Sequence, residues 1–253
     1  MKKIRWRRFL RKSHRYLAVI FGIQFLFWTL GGLYFSWTNI KQIRGEDLRK
    51  ENAPLNLPDR VVPVTDVVAA IKAQDTLHVV EVVQLVAILG KPYYQVSYHG
   101  RHGKQIQLAD AATGALRGPL TQVEAIAVAK DCLKDTGTVA AVAYLTQANG
   151  HHEYREKPLP AYAVQFTGKV NTTVYVSANL GTVQSLRNNR WRVFDFLWML
   201  HTMDYSGRDN INNWALRIFS VWGLVTIVSG FALYFTSLKR KRKRQIFKQT
   251  KSE

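Results

Sequence analysis

Cysteine is almost absent. Cys132 stands alone among 253 residues, so no disulfide can close within the chain, and an oxidising compartment is permitted without being required. Its neighbours place Cys132 on an amphipathic helix, where a half-buried small apolar side chain is expected. Glycine-rich phosphate cradles, a nucleophile elbow, an H-E-x-x-H pair and a paired-carboxylate signature are all missing. Soluble-enzyme chemistry in the middle of the chain is therefore not expected. Charge is missing in two places as well: residues 16–37 and 218–238 contain no Asp, Glu, Lys or Arg.

Those two gaps organise the rest. Each exceeds 20 residues and, at about 1.5 Å per helical residue, matches the roughly 30 Å hydrocarbon thickness of a bilayer. Eight Lys or Arg precede the first run in MKKIRWRRFLRKSHR, and eight follow the second in KRKRKRQIFKQTKSE. Lys and Arg resist translocation, so both termini are expected in the cytoplasm and the central segment on the outer side of the membrane. The first run is too long for the apolar core of a cleaved signal and exits through Trp37, Thr38 and Asn39 without a small-x-small site, which reads as a retained anchor. The flanks contribute +8 and +7 of the net +19, leaving +4 between them from 20 basic and 16 acidic residues. The excess is positional. Attraction to anionic headgroups explains it better than nucleic-acid binding, which the balanced middle does not support.

The middle repeats itself. YYQVSY (residues 93–98) alternates like a half-buried strand and leads through a turn to KQIQLAD and the turn AATGALRG; AYAVQF (residues 161–166) leads in the same order to NTTVYVS and ANLGTVQS. Gly114 and Gly181 fall where a tight turn requires positive φ. A helical stretch and an apolar strand precede each hairpin, with Thr65 and Thr121 as expected N-caps and Glu124 completing a capping box on the second.

A helix, a strand and a hairpin closing on D-x-x-T-G at residues 110–114 resemble the PepSY domain, and the flanking segments resemble the PepSY-associated transmembrane family. The residues that carry this are His14, Arg15, Tyr16, Leu17, Gly31 and Gly32 at the first anchor. At the second they are Arg190, Trp191, Arg192, the run FDFLWMLHTMDYSGRDN and Gly230. The resemblance implies an α+β membrane protein: two transmembrane helices flanking an extracytoplasmic domain of two PepSY-like units, each a helix plus three antiparallel strands. The expected organisation is a basic segment 1–15, a helix 16–38, a linker 39–62, units 63–119 and 120–187, an interfacial helix and loop 188–212, a helix 213–238 and a basic tail 239–253. Larger relatives, among them inner-membrane reductases of iron-siderophore complexes, are associated with haem b held by membrane histidines.

The histidines divide accordingly. His14 stands at the inner edge of the first helix, heading a face of Ala18, Phe21, Phe25 and Trp28 that is able to line a macrocycle; the other reading is an interfacial histidine in a headgroup belt. His201 shares one face of a short amphipathic stretch with Phe194, Leu197 and Trp198, either as a ligand or in a helix lying on the outer surface. Asp195, Asp204, Arg208, Asp209 and Arg217 surround this stretch and are expected to pair with one another or with lipid; the alternative is that Asp204 or Asp195 accepts a hydrogen bond from His201 and fixes its tautomer. His99 and His102 flank a hairpin turn, His151 and His152 occupy a loop the first repeat lacks, and neither pair supplies a zinc site; His78 opens a strand. What the resemblance implies is haem b bound through His14, His201 or both. With the two a bilayer apart they cannot share one iron, so a homodimer or membrane partner must supply the second ligand, and Gly22, Gly31 and Gly32 permit close helix approach. The expected activity is electron transfer across the membrane toward ferric iron or an iron-siderophore complex. The alternative is a non-catalytic, membrane-anchored PepSY module that binds or regulates a protein.

Overall fold

The computed structural model describes residues 2–51, 54–75, 78–101, 103–168 and 170–249. The chain forms two compact units, Met1–Trp37 with Asp195–Glu253 and Thr38–Phe194; the boundary falls inside helix α5, Asn189–Thr202.

The first unit is helical. Helix α1 runs through Lys2–Trp37 and helix α6 through Trp214–Gln249. Within them, His14–Trp37 and Trp214–Phe235 are long and apolar enough to cross a membrane. The basic flanks are not separate segments at the backbone level but continuations of the same helices, because Lys and Arg are good helix formers and nothing in either flank breaks the helix. Phe21 packs at a tilt against Phe219 with ring centroids 4.8 Å apart, and Phe25 and Trp28 reach the same ring at 5.7 and 5.4 Å. A side chain at Gly223 would meet Phe25 at 3.3 Å. The Phe21, Phe25 and Trp28 face is thus the seam between α1 and α6.

The second unit holds two four-stranded antiparallel sheets, β1-β2-β3-β4 and β5-β6-β7-β8. The first comprises β1 (Val79–Ile88), β2 (Lys91–Gly100), β3 (Gly103–Asp110) and β4 (Leu116–Arg117), the second β5 (Val139–Leu145), β6 (Ala161–Phe166), β7 (Thr172–Ser177) and β8 (Val183–Arg187). Four strands per sheet correct the three expected. After Gly114 (φ +75°) and Gly181 (φ +70°) the chain folds back far enough to pair again, Ala109 with Leu116 and Val174 with Leu186. Short α2 (Ile40–Ile43) and a 3₁₀ turn (Glu46–Leu48) precede the sheets. Helix α3 (Val64–Gln74) starts at Pro63, not at Thr65 as expected: φ −55° at the proline already suits a helix entry, and Thr65 bonds Asp66 instead. Helix α4 (Gln122–Cys132) begins on Thr121 with Glu124 closing the capping box, and Arg117 grips the same carboxylate at 2.9 and 3.0 Å. Cys132 ends α4 half-buried and unpaired by disulfide, and burial pushes its thiol up.

Alternation assigns the faces. Val67 and Ile71 of α3 pack with Tyr94, Val96, Tyr98 and Ala109 on one face of the first sheet. Its other face sends Ile88 and Leu108 into a common core with α4 and with Val164, Phe166, Val174 and Val176 of the second sheet. The two repeats therefore share one core, and the side chain of Gln95 donates to the Leu180 carbonyl at 2.8 Å to bridge them. Gly181 lies in that bridge: a Cβ there would collide with Ile88 and press on Leu108 at 3.3 Å. Gly181→Ala should lower stability by about 1–2 kcal/mol for the left-handed backbone and by a further 1–3 kcal/mol or so for overpacking, measured by denaturant unfolding; a loss below 1 kcal/mol would contradict the shared core.

On the remaining face of the second sheet, Arg192 in the first turn of α5 reaches Thr173 at 3.2 Å. Residues 146–160, the loop without a counterpart in the first repeat, pack on the same face. Tyr154 is fully buried against Ala161, Ala163 and Tyr175, stacked on the Tyr175 ring at 4.8 Å and 13°.

Candidate functional site

In the helical unit, the His14 ring faces α6. Its Nδ1 lies 2.8 Å from Ser229 Oγ, and that hydroxyl donates to the Thr226 carbonyl at 2.8 Å. The next residue is Gly230, where a Cβ would stand 3.5 Å from His14 Cε1 and 4.0 Å from Nε2. One imidazole nitrogen is thus hydrogen-bonded inside the helix pair, and the Cε1–Nε2 edge lies at ordinary contact distance from position 230.

His201, near the end of α5, has a different setting. Its ring lies 5.3 Å from Trp28, 6.0 Å from Phe35 and 6.1 Å from Trp198, the last parallel within 13°. Trp198 thus shares its face as the spacing predicts. Nδ1 is buried without a hydrogen-bond partner, so the imidazole lacks the second hydrogen bond that a metal-bound histidine ordinarily makes. Neither Asp204 nor Asp195 supplies it. Asp204 is spent on the loop behind α5, accepting from Ser206 and Gly207 at Oδ1 and from Asn210 N at Oδ2, 2.9 Å away. The Gly207 amide and the other donors hold its carboxyl below the ordinary range. Asp195, also buried, pairs with Arg208. Trp28 and Phe35 follow His14 by 14 and 21 residues on one continuous helix, which is about 21 and 31 Å of rise. The structure therefore does not bring His14 and His201 together.

His99 lies on β2 opposite Lys104, exposed beside the hairpin turn as expected, and its Nε2 meets Glu81 at 2.7 Å. Lys104 and then His99 hold the Glu81 carboxyl below its usual range. His102 lies outside the described residues. His152 Nδ1 accepts from Tyr154 N at 3.0 Å inside the capping loop, and the His78 amide donates to the His99 carbonyl at 2.9 Å just ahead of β1. Among the described residues, no group of three or more His, Cys, Asp or Glu is placed to hold a metal ion.

Two arrangements had no visible signal in the sequence. Ser229 is 215 residues from His14, so no local spacing announces the pair. Glu153 binds Arg192, in the first turn of α5, through both carboxylate oxygens at 2.5 and 3.2 Å; the only hint was an acidic residue in an inserted loop. The layered unit also carries a groove of about 750 Å³ beside Arg49, Leu85, Leu89, Val128, Cys132 and Val183. Comparison with known proteins gives no significant match to a family model, a curated protein or a solved structure.

Proposed function

We propose that this chain is a PepSY-associated integral membrane protein of the bacterial inner membrane that binds haem b and passes electrons across the bilayer toward ferric iron or an iron-siderophore complex. The observation that carries the reading is the His14 site: a histidine on a membrane-length helix whose Nδ1 is hydrogen-bonded and whose Nε2 edge faces a glycine. Haem b, when bound, supplies a one-electron ferric/ferrous couple within a low-dielectric phase. His14 would hold it, and His201 is the candidate at the other end of α1, there without a hydrogen-bonded second nitrogen. One chain provides one imidazole at each end, so a second copy or a membrane partner completes either site.

Membrane insertion is supported by what the helices leave uncovered. Ile20, Ile23, Leu26 and Leu30 on α1, and Val221, Leu224, Val228 and Phe231 on α6, are each at least half exposed, more apolar surface than water tolerates on one helix pair. The basic blocks at both ends then set both termini in the cytoplasm and the layered unit in the periplasm. Reporter fusions test this: an extracytoplasmic reporter should be active after Gly118 and silent at the C-terminus, and the reverse pattern would overturn the topology. The haem reading is tested by counting haem b per chain in the purified protein through its pyridine haemochrome. One specific observation favours the second reading, a non-catalytic anchored binding module: the groove beside β1. Absence of haem from the purified protein would make that reading the better one.

A further inference from the structure

We infer that Ser229 is a positioning residue that fixes the tautomer of His14, so that Nε2 is presented as the lone-pair nitrogen before any ligand arrives. The inference rests on the reading of His14 as a haem ligand for its purpose, but not for its evidence.

A serine hydroxyl has one hydrogen and two lone pairs. Ser229 Oγ lies 2.8 Å from two groups, the Thr226 carbonyl and His14 Nδ1. The carbonyl can only accept, so the hydroxyl hydrogen goes to it. The contact with the ring is then satisfied only if Nδ1 carries a hydrogen and donates. The opposite assignment, with the hydroxyl pointing at an unprotonated Nδ1, sets two acceptor oxygens 2.8 Å apart in an apolar helix pair, where no water offsets the repulsion. The neutral imidazole is thereby held as the Nδ1–H form. The backbone carbonyl of α6, relayed through one hydroxyl, does the work that a carboxylate or carbonyl does for many metal-bound histidines. Position 230 fits the same purpose. Any side chain there would stand against the Cε1 and Nε2 edge of the ring, and the residue is glycine. His201 has no such relay, since its Nδ1 is buried without a hydrogen-bond partner. The two histidines are consequently unequal: His14 is set in advance as a ligand and His201 is not.

The test is nitrogen NMR of the full-length, haem-free protein labelled at histidine, in lipid nanodiscs, with His14 assigned by its loss in His14→Ala. The expected spectrum shows Nδ1 of the protonated type and Nε2 of the unprotonated type for His14. Ser229→Ala should lose that single form in favour of a mixture containing Nε2–H, and Ser229→Thr, which keeps the hydroxyl on the same helical turn, should restore it. In haem-loaded protein, Ser229→Ala should weaken haem retention about 10- to 100-fold with no change in the layered unit's unfolding transition. A wild-type His14 ring in the Nε2–H form, or one indifferent to Ser229→Ala, would overturn the inference even if haem binds. The predicted ring form in a protein that takes up no haem would support the positioning of His14 and overturn instead the assignment of haem as its ligand.

Discussion

Replacing His14 with alanine is expected to remove one haem equivalent from the purified full-length protein while leaving the layered unit folded. The reason is the ligand inventory. His14 and the ring positions around His201 are separated by about 21 to 31 Å along α1, more than any single iron can bridge with nitrogen ligands near 2 Å, so each histidine acts alone within its chain. Alanine supplies no nitrogen, and no other imidazole reaches the Ser229–Gly230 site among the described residues. His14 belongs to the helical unit and to neither core cluster of the sheets, so far-ultraviolet circular dichroism and the unfolding midpoint of the layered unit should be unchanged. His201→Ala should remove a separate haem signal, if that end is loaded, and leave the His14 signal in place. Loss of both signals from either single substitution would show that one cofactor spans the two positions, against the geometry.

The second large effect is at Tyr154. This side chain covers one face of the second sheet: it is fully buried, stacked on Tyr175, and its hydroxyl donates to the Pro158 carbonyl at 2.7 Å. Tyr154→Ala should destabilise the layered unit by about 3–5 kcal/mol, the range for deleting a large buried aromatic side chain. Tyr154→Phe should cost only about 0.5–1.5 kcal/mol, the net worth of a hydrogen bond. A pH signature accompanies this. Burial pushes the Tyr154 phenol from 10.0 up to about 12 and raises that of Tyr175 further, with Glu153 adding to the second. A folded-state pKa above the unfolded value favours the protonated form in the native state, so this contribution is fully present below pH 10 and is lost as pH rises from 10 through 12. Denaturant unfolding at pH 8, 10 and 11.5 measures it: stability should fall across the last step, and by less in Tyr154→Phe. A pH-independent midpoint would mean the ring is not desolvated as described.

Where the sequence was legible, one period carried the signal. Period-two alternation in YYQVSY and AYAVQF placed β2 and β6, and the glycines at 114 and 181 marked turns that need positive φ. The capping box at Thr121 was readable because all of its partners lie within four residues. The misses share the opposite property. Strand β4 is two residues long, too short for any period, and exists because Leu108 and Ala109 offer it a pairing edge. The packing of Phe21, Phe25 and Trp28 on Phe219 likewise joins segments nearly 200 residues apart, beyond the reach of any local period. His14 was identifiable by type and position, whereas its partner Ser229 depends on a contact between distant segments; the pairing of Asp195 with Arg208 lies within 13 residues and agrees with the charge pairing expected there. The capping role of residues 146–160 followed from nothing in the loop itself. It depends on the face of the second sheet that Tyr154 covers.

The central claim is that haem b is bound in the membrane through His14, His201 or both, each at its own end of the helical unit, and the reduced-minus-oxidised absorbance spectrum tests it most directly. Wild-type protein purified from haem-replete cells would be compared with the His14→Ala, His201→Ala double variant prepared in parallel. The account predicts the Soret and α bands of a b-type haem in the wild type and neither band in the double variant, with equal yields of folded protein. No Soret band in the wild type, or a signal unchanged in the double variant, would contradict it.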